Sequence, residues 1–169
     1  PISFFNQKLD KQVLKYFKIK PKKRANLSPW KKITNIVLNT KKSVKIAIIG
    51  KYVNLKDAYK SLDEALIHGG ISNKVKVNLI RIESDNLKVN EIKEKLKDVS
   101  GLLIPGGFGK RGTEGKISAI KYARENKIPF LGICFGMQMA IIEFARNKLK
   151  IKKAGSSEID KKCYPVVGL

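Results

Sequence analysis

The sequence predicts an α/β fold of three layers, in which a mostly parallel sheet carries helices on both faces. Two observations support this prediction. Between residues 44 and 147, short runs rich in β-branched residues alternate with amphipathic segments of helical length. The first run is apolar at consecutive positions and ends in glycine, which is typical of a parallel strand buried on both faces. Because such sheets bind ligands beyond the carboxyl ends of their strands, we expect the functional site at that edge.

A leading arm, residues 1–43, precedes the first predicted strand. Apolar residues at helical spacing predict a short helix over residues 9–17. The prolines and basic pairs of the remaining arm favour a basic linker or the edge of a preceding domain. The β-rich run of residues 44–50 predicts the first strand. Residues 44–169 are predicted to form one domain.

The next three elements are predicted from their periodicity. Residues 57–68 place apolar side chains on one helical face, and Gly69 with Gly70 form the expected C-cap. Alternating apolar residues predict a second strand over residues 75–82. An amphipathic pattern predicts a helix over residues 89–96.

The last four predicted elements flank two glycine-rich loops. Residues 101–104 are the third predicted strand, which ends before the loop of residues 105–112. A helix is predicted over residues 114–126, a fourth strand over residues 128–133, and a final helix over residues 135–147.

The charge of the chain is large but unevenly distributed. The net charge is +22, of which residues 1–45 contribute +12 and residues 46–169 contribute +10. Nearly all the cations are lysine, which favours solvated faces. Arginine, whose planar fork reads bases, occurs only five times. We therefore expect no direct binding to nucleic acid.

Other sequence features concern membranes, disulfides and compartment. No apolar run approaches about 18 residues, so neither a membrane-spanning helix nor a membrane partner is expected. Two cysteines, Cys134 and Cys163, are too few for a disulfide framework, which favours a reducing compartment and a cytoplasmic protein. The chain opens without Met or a signal pattern, so we expect an excised piece.

The first loop with distinctive chemistry runs from Gly132 to Gln138 and has the pattern G-x-C-x-G. A nucleophile elbow needs this pattern, because its cramped turn between strand and helix tolerates only small neighbours. The following helix would direct its free N–H groups towards the thiol of Cys134, and the N–H of Phe135 would face an oxyanion. The alternative is a buried cysteine that packs as a small apolar residue. We favour the nucleophile.

The second loop, residues 105–112, has three interpretations. It could donate backbone N–H groups to an oxyanion, with Gly107 as the candidate. It could also be a plain glycine-rich turn. Finally, residues 107–112 spell G-x-G-x-x-G, the dinucleotide fingerprint, but the acidic residue expected about 20 positions later is absent. We rank these interpretations in the order given.

Both loops suit acyl transfer through a thioester, which also needs a general base, normally histidine. The single histidine, His68, lies near the end of a predicted helix and is more typical of a structural or surface residue. The sequence therefore predicts a nucleophile without its base.

These residues resemble the class I glutamine amidotransferases, and within them the branch that makes CTP from UTP. The matching segments are residues 50–53, 57–61, 64–66, 105–116, 122–124, 128–138, 142–147 and 156–158. Trp30 resembles the linker that leads to the synthetase domain of that branch. The resemblance covers about residues 44–169 and implies the same three-layer fold.

The resemblance also implies roles for individual residues. Cys134 matches the nucleophile, and Gly107 and Phe135 match the two oxyanion donors. The residues implied to bind glutamine are Gly107, Phe108, Gln138 and Glu158. The residues that match a GTP activator site are Lys51, Tyr52, Lys60 and Arg111, for which a solvated basic surface is the alternative.

The implied activity is hydrolysis of L-glutamine, with ammonia passed to a synthetase domain of the same chain. There UTP would be aminated to CTP with Mg-ATP, in a homo-tetramer activated by GTP. The resemblance implies neither a metal nor a cofactor in the glutaminase domain itself.

Three departures from the family pattern stand out. The His-x-Glu pair that supplies base and orienting carboxylate is expected beyond Leu169, as is the arginine that holds the substrate carboxylate. Phe135 stands where leucine is usual. The alternatives that remain are another class I amidotransferase, of the GMP-synthetase type, and a non-enzymatic basic α/β module that binds nucleotide or nucleic acid.

Overall fold

The computed structural model describes residues 1–53, 55, 57–85 and 87–168; the predicted domain of residues 44–169 thus includes four positions outside the described residues. The elements in chain order are α1 (Ile2–Asn6), α2 (Leu9–Tyr16), α3 (Ser28–Asn39), β1 (Ser43–Gly50), α4 (Lys60–Ser72), β2 (Lys76–Glu83), α5 (Val89–Leu96), β3 (Gly101–Ile104), α6 (Thr113–Glu125), β4 (Phe130–Gly132), α7 (Phe135–Asn147), β5 (Ala154–Ser156) and β6 (Tyr164–Val167).

The main sheet has four parallel strands in the order β2-β1-β3-β4. Residue Ala47 of β1 pairs with Ile80 on one side and with Leu102 on the other. A second, two-stranded sheet pairs β5 with β6, also in parallel. The parallel α/β fold predicted from the sequence is confirmed.

The core lies between the main sheet and a layer formed by α5, α6 and α7. Ala47 and Ile49 of β1, with Leu102 and Ile104 of β3, point into this core. Ile48 is also fully buried, but alternation along the strand directs it to the opposite face. Right-handed crossovers run in opposite directions from β1 and from β2, which puts α4 on that opposite face.

The leading arm contains more helix than the sequence predicted. α2 confirms the helix predicted over residues 9–17, but α1 and α3 were not predicted. Pro29 lies in the first turn of α3, where the missing N–H of proline needs no partner. Within the described residues, no helix is both long and apolar enough to cross a membrane.

The predicted C-cap at Gly69 and Gly70 is wrong. Both residues lie inside α4, which begins at Lys60 and ends at Ser72. A Cβ on Gly70 would lie 2.6 Å from Cγ2 of Val77 and 2.7 Å from the carbonyl oxygen of Val75. Gly70 therefore lets α4 approach β2 closely, and Lys74, with a φ of 54°, takes the left-handed conformation after the helix instead.

The remaining predicted elements are present with small shifts at their ends. α5, β3 and α7 have the predicted bounds, whereas β4 is limited to three residues of the predicted six. β5 and β6 were not predicted. They follow α7 and bring residues 154–167 alongside it.

Candidate active site

Four loops meet at the carboxyl edge of the main sheet because all four strands run parallel. Lys51 follows β1, Ser84 and Asp85 follow β2, residues 105–112 follow β3, and Cys134 follows β4 after one residue. The connections from β1 and β3 lead to opposite sides of the sheet, so a crevice opens between these two strands. Such a switch point is where parallel α/β sheets bind ligands.

Cys134 lies on a strained turn between β4 and α7. Its backbone has a φ of 49° and a ψ of −105°, in a region that side chains other than glycine rarely adopt. A Cβ on Gly136 would collide with the backbone carbonyl group of Ile104, and a Cβ on Gly132 would lie 2.6 Å from the nitrogen of Met137. Both glycines of the G-x-C-x-G pattern are thus required by close backbone contacts.

The thiol of Cys134 is exposed at the N-terminus of α7. Phe135 is the first residue of that helix, so its N–H has no acceptor in a preceding helical turn. The side chain of Phe135 is only 1% exposed. The turn therefore presents the sulfur at the surface while the residue after it is anchored in the core.

The loop after β3 lies beside the elbow. A Cβ on Gly106 would be 3.8 Å from Cβ of Cys134, whereas no atom lies within 4 Å of a Cβ on Gly107. The next side chain, Phe108, is 79% exposed. Gly107 therefore has open space in front of it, next to the elbow.

Gln138 and Glu158 share one cleft of about 510 Å³. The cleft is lined by Gln138, Ser156, Ser157, Glu158, Val167 and Gly168. Gln138 lies one turn after Cys134, and its N–H donates to the carbonyl of Cys134 at 3.1 Å. The N–H of Glu158 donates to Oγ of Ser156 at 3.3 Å. The structure thus brings together two of the four residues expected to bind glutamine, while Gly107 and Phe108 lie in the loop after β3.

The residues matched to a GTP site divide into two groups. The Lys51 ammonium donates to the carbonyl oxygen of Phe108 and, at 3.4 Å, to that of Gly109. Nε of Arg111 lies 2.8 Å from Oδ2 of Asp85. Tyr52 is exposed in the loop after β1, and Lys60 is exposed at the first residue of α4.

Sequence reasoning missed a buried lysine behind this edge. Lys116 of α6 is 2% exposed, and its Nζ lies 5.1 Å from the centroid of the Phe135 ring. Burial, followed by the nearby charge of Lys51, lowers the pKa of Lys116 to about 8. Its spacing from the buried Ile120 and Ala123 marks the inner face of α6, and this pattern could have revealed it.

Two ion pairs hold α6 against α7. Arg124 donates to both carboxylate oxygens of Glu143, at distances from 2.8 to 3.2 Å, and Glu143 is 1% exposed. Nη1 of Arg146 lies 3.0 Å from Glu114. These pairs fix the orientation of the helix that begins at the elbow.

His68 does not lie at this edge. It is exposed on α4, which starts at the carboxyl edge and runs back along the sheet. His68 is near the end of that helix, one turn before the segment that enters β2 at the amino edge. It is the single histidine of the sequence, so no histidine of this chain faces Cys134.

A nucleophile elbow beside a glycine-rich loop, on a parallel α/β sheet, is the arrangement of an acyl-transfer enzyme. The model of the family glutamine amidotransferase class-I matches residues 54–166, and the chain belongs to this family.

Curated relatives of the chain within this family are named CTP synthase. The chain is 75% identical to a CTP synthase of Pelagibacter ubique and 52% identical to a CTP synthase of Gluconobacter oxydans. Both matches cover all of this chain and 31% of the relative, so the chain spans about a third of their length.

The fold of the chain is also similar to that of a solved structure. The structure is the glutaminase domain of CTPS from Trypanosoma brucei with bound acivicin, and it is 36% identical with a TM-score of 0.67. The match covers 72% of this chain and 48% of that one.

Proposed function

We propose that the chain is a glutaminase domain that supplies ammonia for the ATP-dependent amination of UTP to CTP. The observation that carries the proposal is the strained, exposed Cys134 at the N-terminus of α7, between two glycines that close backbone contacts require. The relatives named CTP synthase support the identity of the nitrogen acceptor. The expected compartment is the cytoplasm.

In the proposed reaction, the sulfur of Cys134 attacks the side-chain amide carbonyl of glutamine. A C–S bond forms, the C–N bond breaks, and the thiol proton leaves with the amine as ammonia. Water then cleaves the thioester, which gives glutamate and restores the thiol. The N–H groups of Gly107 and Phe135 would stabilise the negative oxygen in both steps. The base that moves these protons is expected in a part of the protein outside this chain.

The cleft that contains Gln138 and Glu158 is the proposed pocket for the substrate. The Glu158 carboxylate would pair with the α-ammonium group of glutamine, which is a charge-assisted interaction. Phe108 and Gly107, in the neighbouring loop, would line the other side of the substrate.

The proposed partners are a synthetase domain that binds Mg-ATP and UTP, and GTP as an activator. Lys51, Tyr52, Lys60 and Arg111 are the proposed GTP contacts. The basic arm of residues 1–43 is proposed to lead from the synthetase domain, and the whole enzyme is proposed to be a homo-tetramer.

The proposal predicts that loss of the Cys134 thiol affects CTP formation from glutamine but not from ammonium salt. In the full-length enzyme, Cys134→Ala is expected to reduce CTP formation from glutamine by roughly a thousandfold or more, and to leave formation from ammonium salt within about twofold. Initial rates with UTP, ATP and each nitrogen source would measure this.

Cys163→Ala is the matched control, because Cys163 is half-buried beside Gly155 and does not line the cleft of Gln138 and Glu158. It should leave both reactions unchanged. Glutamine-dependent CTP formation that survives Cys134→Ala would refute the proposed nucleophile.

A further inference from the structure

Two ammonium groups lie over the ring of Phe135. Nζ of Lys116 is 5.1 Å from the ring centroid, and Nζ of Lys51 is 5.9 Å from it. Attraction between an ammonium group and an aromatic face is significant within about 6 Å and grows when water is excluded. Lys116 and Phe135 are 2% and 1% exposed, so their contact is almost entirely shielded from water.

Burial of the Lys116 ammonium disfavours its charged form. Charged groups face it from three elements: Lys51 after β1, Glu83 and Asp85 at the end of β2, and Arg111 before α6. The two carboxylates favour its protonated form, while burial and the two cations disfavour it. An uncharged chain of similar length would fill the same space without desolvating a charge.

Lys51 connects the same ring to the loop after β3. Its ammonium donates to the carbonyl oxygens of Phe108 and Gly109, the two residues that follow Gly107. Lys51 thus contacts both the ring of Phe135, the residue after the elbow cysteine, and the loop that contains Gly107. Both proposed oxyanion donors belong to the segments joined in this way.

We propose that Lys116 is a positioning residue for glutamine hydrolysis, which holds the ring of Phe135 and so aligns the Phe135 N–H beside the Gly107 loop. This inference rests on the proposed function, because it assigns the two N–H groups to the oxyanion. Small rotations of Phe135 would also move the adjoining Cys134, since the two residues share the strained turn. The expected effect is therefore on the chemical step.

The test uses the full-length enzyme with Lys116→Met, and with Lys116→Arg as the conservative variant that keeps a cation near the ring. Lys116→Met is expected to lower kcat for glutamine hydrolysis by about tenfold, with KM within about twofold, and Lys116→Arg should recover most of that loss. CTP formation from ammonium salt should not change. Lys121→Met, an exposed lysine on the same helix, is the matched control and should behave as the wild type.

The pH dependence supplies a second readout. The Lys116 ammonium is protonated below its pKa of about 8 and loses its charge above it. Glutamine hydrolysis by the wild type should therefore decline above that pH. Lys116→Arg should keep the positive charge and move this decline to higher pH. In Lys116→Met the lower rate should show no decline at that position.

The outcomes separate the inference from the proposed function. An unchanged kcat in Lys116→Met, an equal loss in Lys116→Arg, or an equal loss with ammonium salt would each overturn the positioning role. If the wild type formed CTP only from ammonium salt, the proposed function itself would fail, and the inference with it.

Discussion

Cys134 adopts a backbone conformation that its surroundings must maintain. A positive φ at a residue other than glycine costs about 1–3 kcal/mol and persists only where neighbouring contacts determine it. Here the carbonyl of Ile104 accepts the N–H of Ile133 at 3.0 Å, and the buried Phe135 anchors the following residue. The strain places the thiol outward on a rigid turn, which is what an attacking group requires.

The role of a single backbone N–H, that of Gly107, can be tested with two substitutions at that residue. Gly107→Pro removes the N–H, and we expect glutamine-dependent kcat to fall by roughly a hundredfold to a thousandfold. Gly107→Ala keeps the N–H, and no atom within 4 Å opposes its new Cβ. The alanine variant should therefore retain clearly more activity than the proline variant, because it loses no hydrogen-bond donor. Glutamate release by the full-length enzyme would measure both.

Gly107→Pro and Gly107→Ala both change the side of the loop at position 107, but only the proline removes the N–H donor. The difference between their activities therefore measures the effect of the donor. Ammonia-dependent CTP formation should remain normal in both, which shows that the rest of the enzyme is intact. If the alanine variant lost as much activity as the proline variant, the role of the Gly107 N–H would be rejected.

At the scale of elements, α6 and α7 behave as one unit. Arg124 and Glu143 form a forked ion pair with a buried carboxylate, and the hydrogen bond to Glu143 is the main reason that the pKa of Arg124 lies above its ordinary value. The buried charge of Glu143 would be left unpaired by any sliding of the two helices, which is costly. The N-terminus of α7, and the elbow with it, is thereby held in place.

The two adjacent glycines of α4 predict opposite effects on stability. Gly70→Ala would place a Cβ 2.7 Å from the backbone oxygen of Val75, so we expect destabilisation of about 2–3 kcal/mol. Gly69→Ala meets no atom within 4 Å and should stabilise the helix by about 0.5–1 kcal/mol. The thermal transition of the glutaminase domain within the full-length protein would measure both.

Each variant serves as the control for the other, because they differ by one position in the same helix. A C-cap at Gly69 and Gly70, as the sequence suggested, would make both substitutions unfavourable. Equal destabilisation by the two alanines would therefore contradict the helix bounds described above.

The sequence predicts elements well where burial has a helical period, as in α5 and α7, or where a short apolar run is buried throughout, as in β3. It misses α1, which has only five residues, and α3, where Pro29 and a basic pair interrupt the apolar spacing. It also misses the three- and four-residue strands β5 and β6. Their pairing depends on contacts with α7 that no local pattern encodes. The wrong C-cap at Gly69 and Gly70 has the same origin, because it is the close contact between Gly70 and Val77 of β2 that requires a glycine inside the helix.

The candidate site was predicted unevenly for a related reason. The nucleophile and its glycines form a contiguous motif, so Cys134 and Gly107 could be named from spacing alone. The spacing of Lys116 places it on the inner face of α6, but its contact with Phe135 arises only when α6 packs against α7 and the sheet. Burial of a charge depends on tertiary packing. In a lysine-rich sequence, composition alone does not distinguish a buried lysine from the many exposed ones.

For the whole molecule, the decisive feature is the separation between the nucleophile and the single histidine. Cys134 lies at the carboxyl edge of the sheet, and His68 lies near the amino edge on an exposed helical turn. A general base must reach the proton that it moves, within hydrogen-bond distance or through one water. His68 therefore cannot serve Cys134 in this fold.

We accordingly expect His68→Asn to leave glutamine hydrolysis by the full-length enzyme within about twofold of the wild type, since an exposed histidine far from the elbow touches no reacting atom. The isolated 169-residue chain, by contrast, should release glutamate at less than about one-thousandth of the full-length rate, because it holds a nucleophile without a base. Steady-state glutamate release from both proteins at equal concentration would measure this. A large loss in His68→Asn, together with full turnover by the 169-residue chain, would mean that His68 reaches the elbow and that the base belongs to this chain.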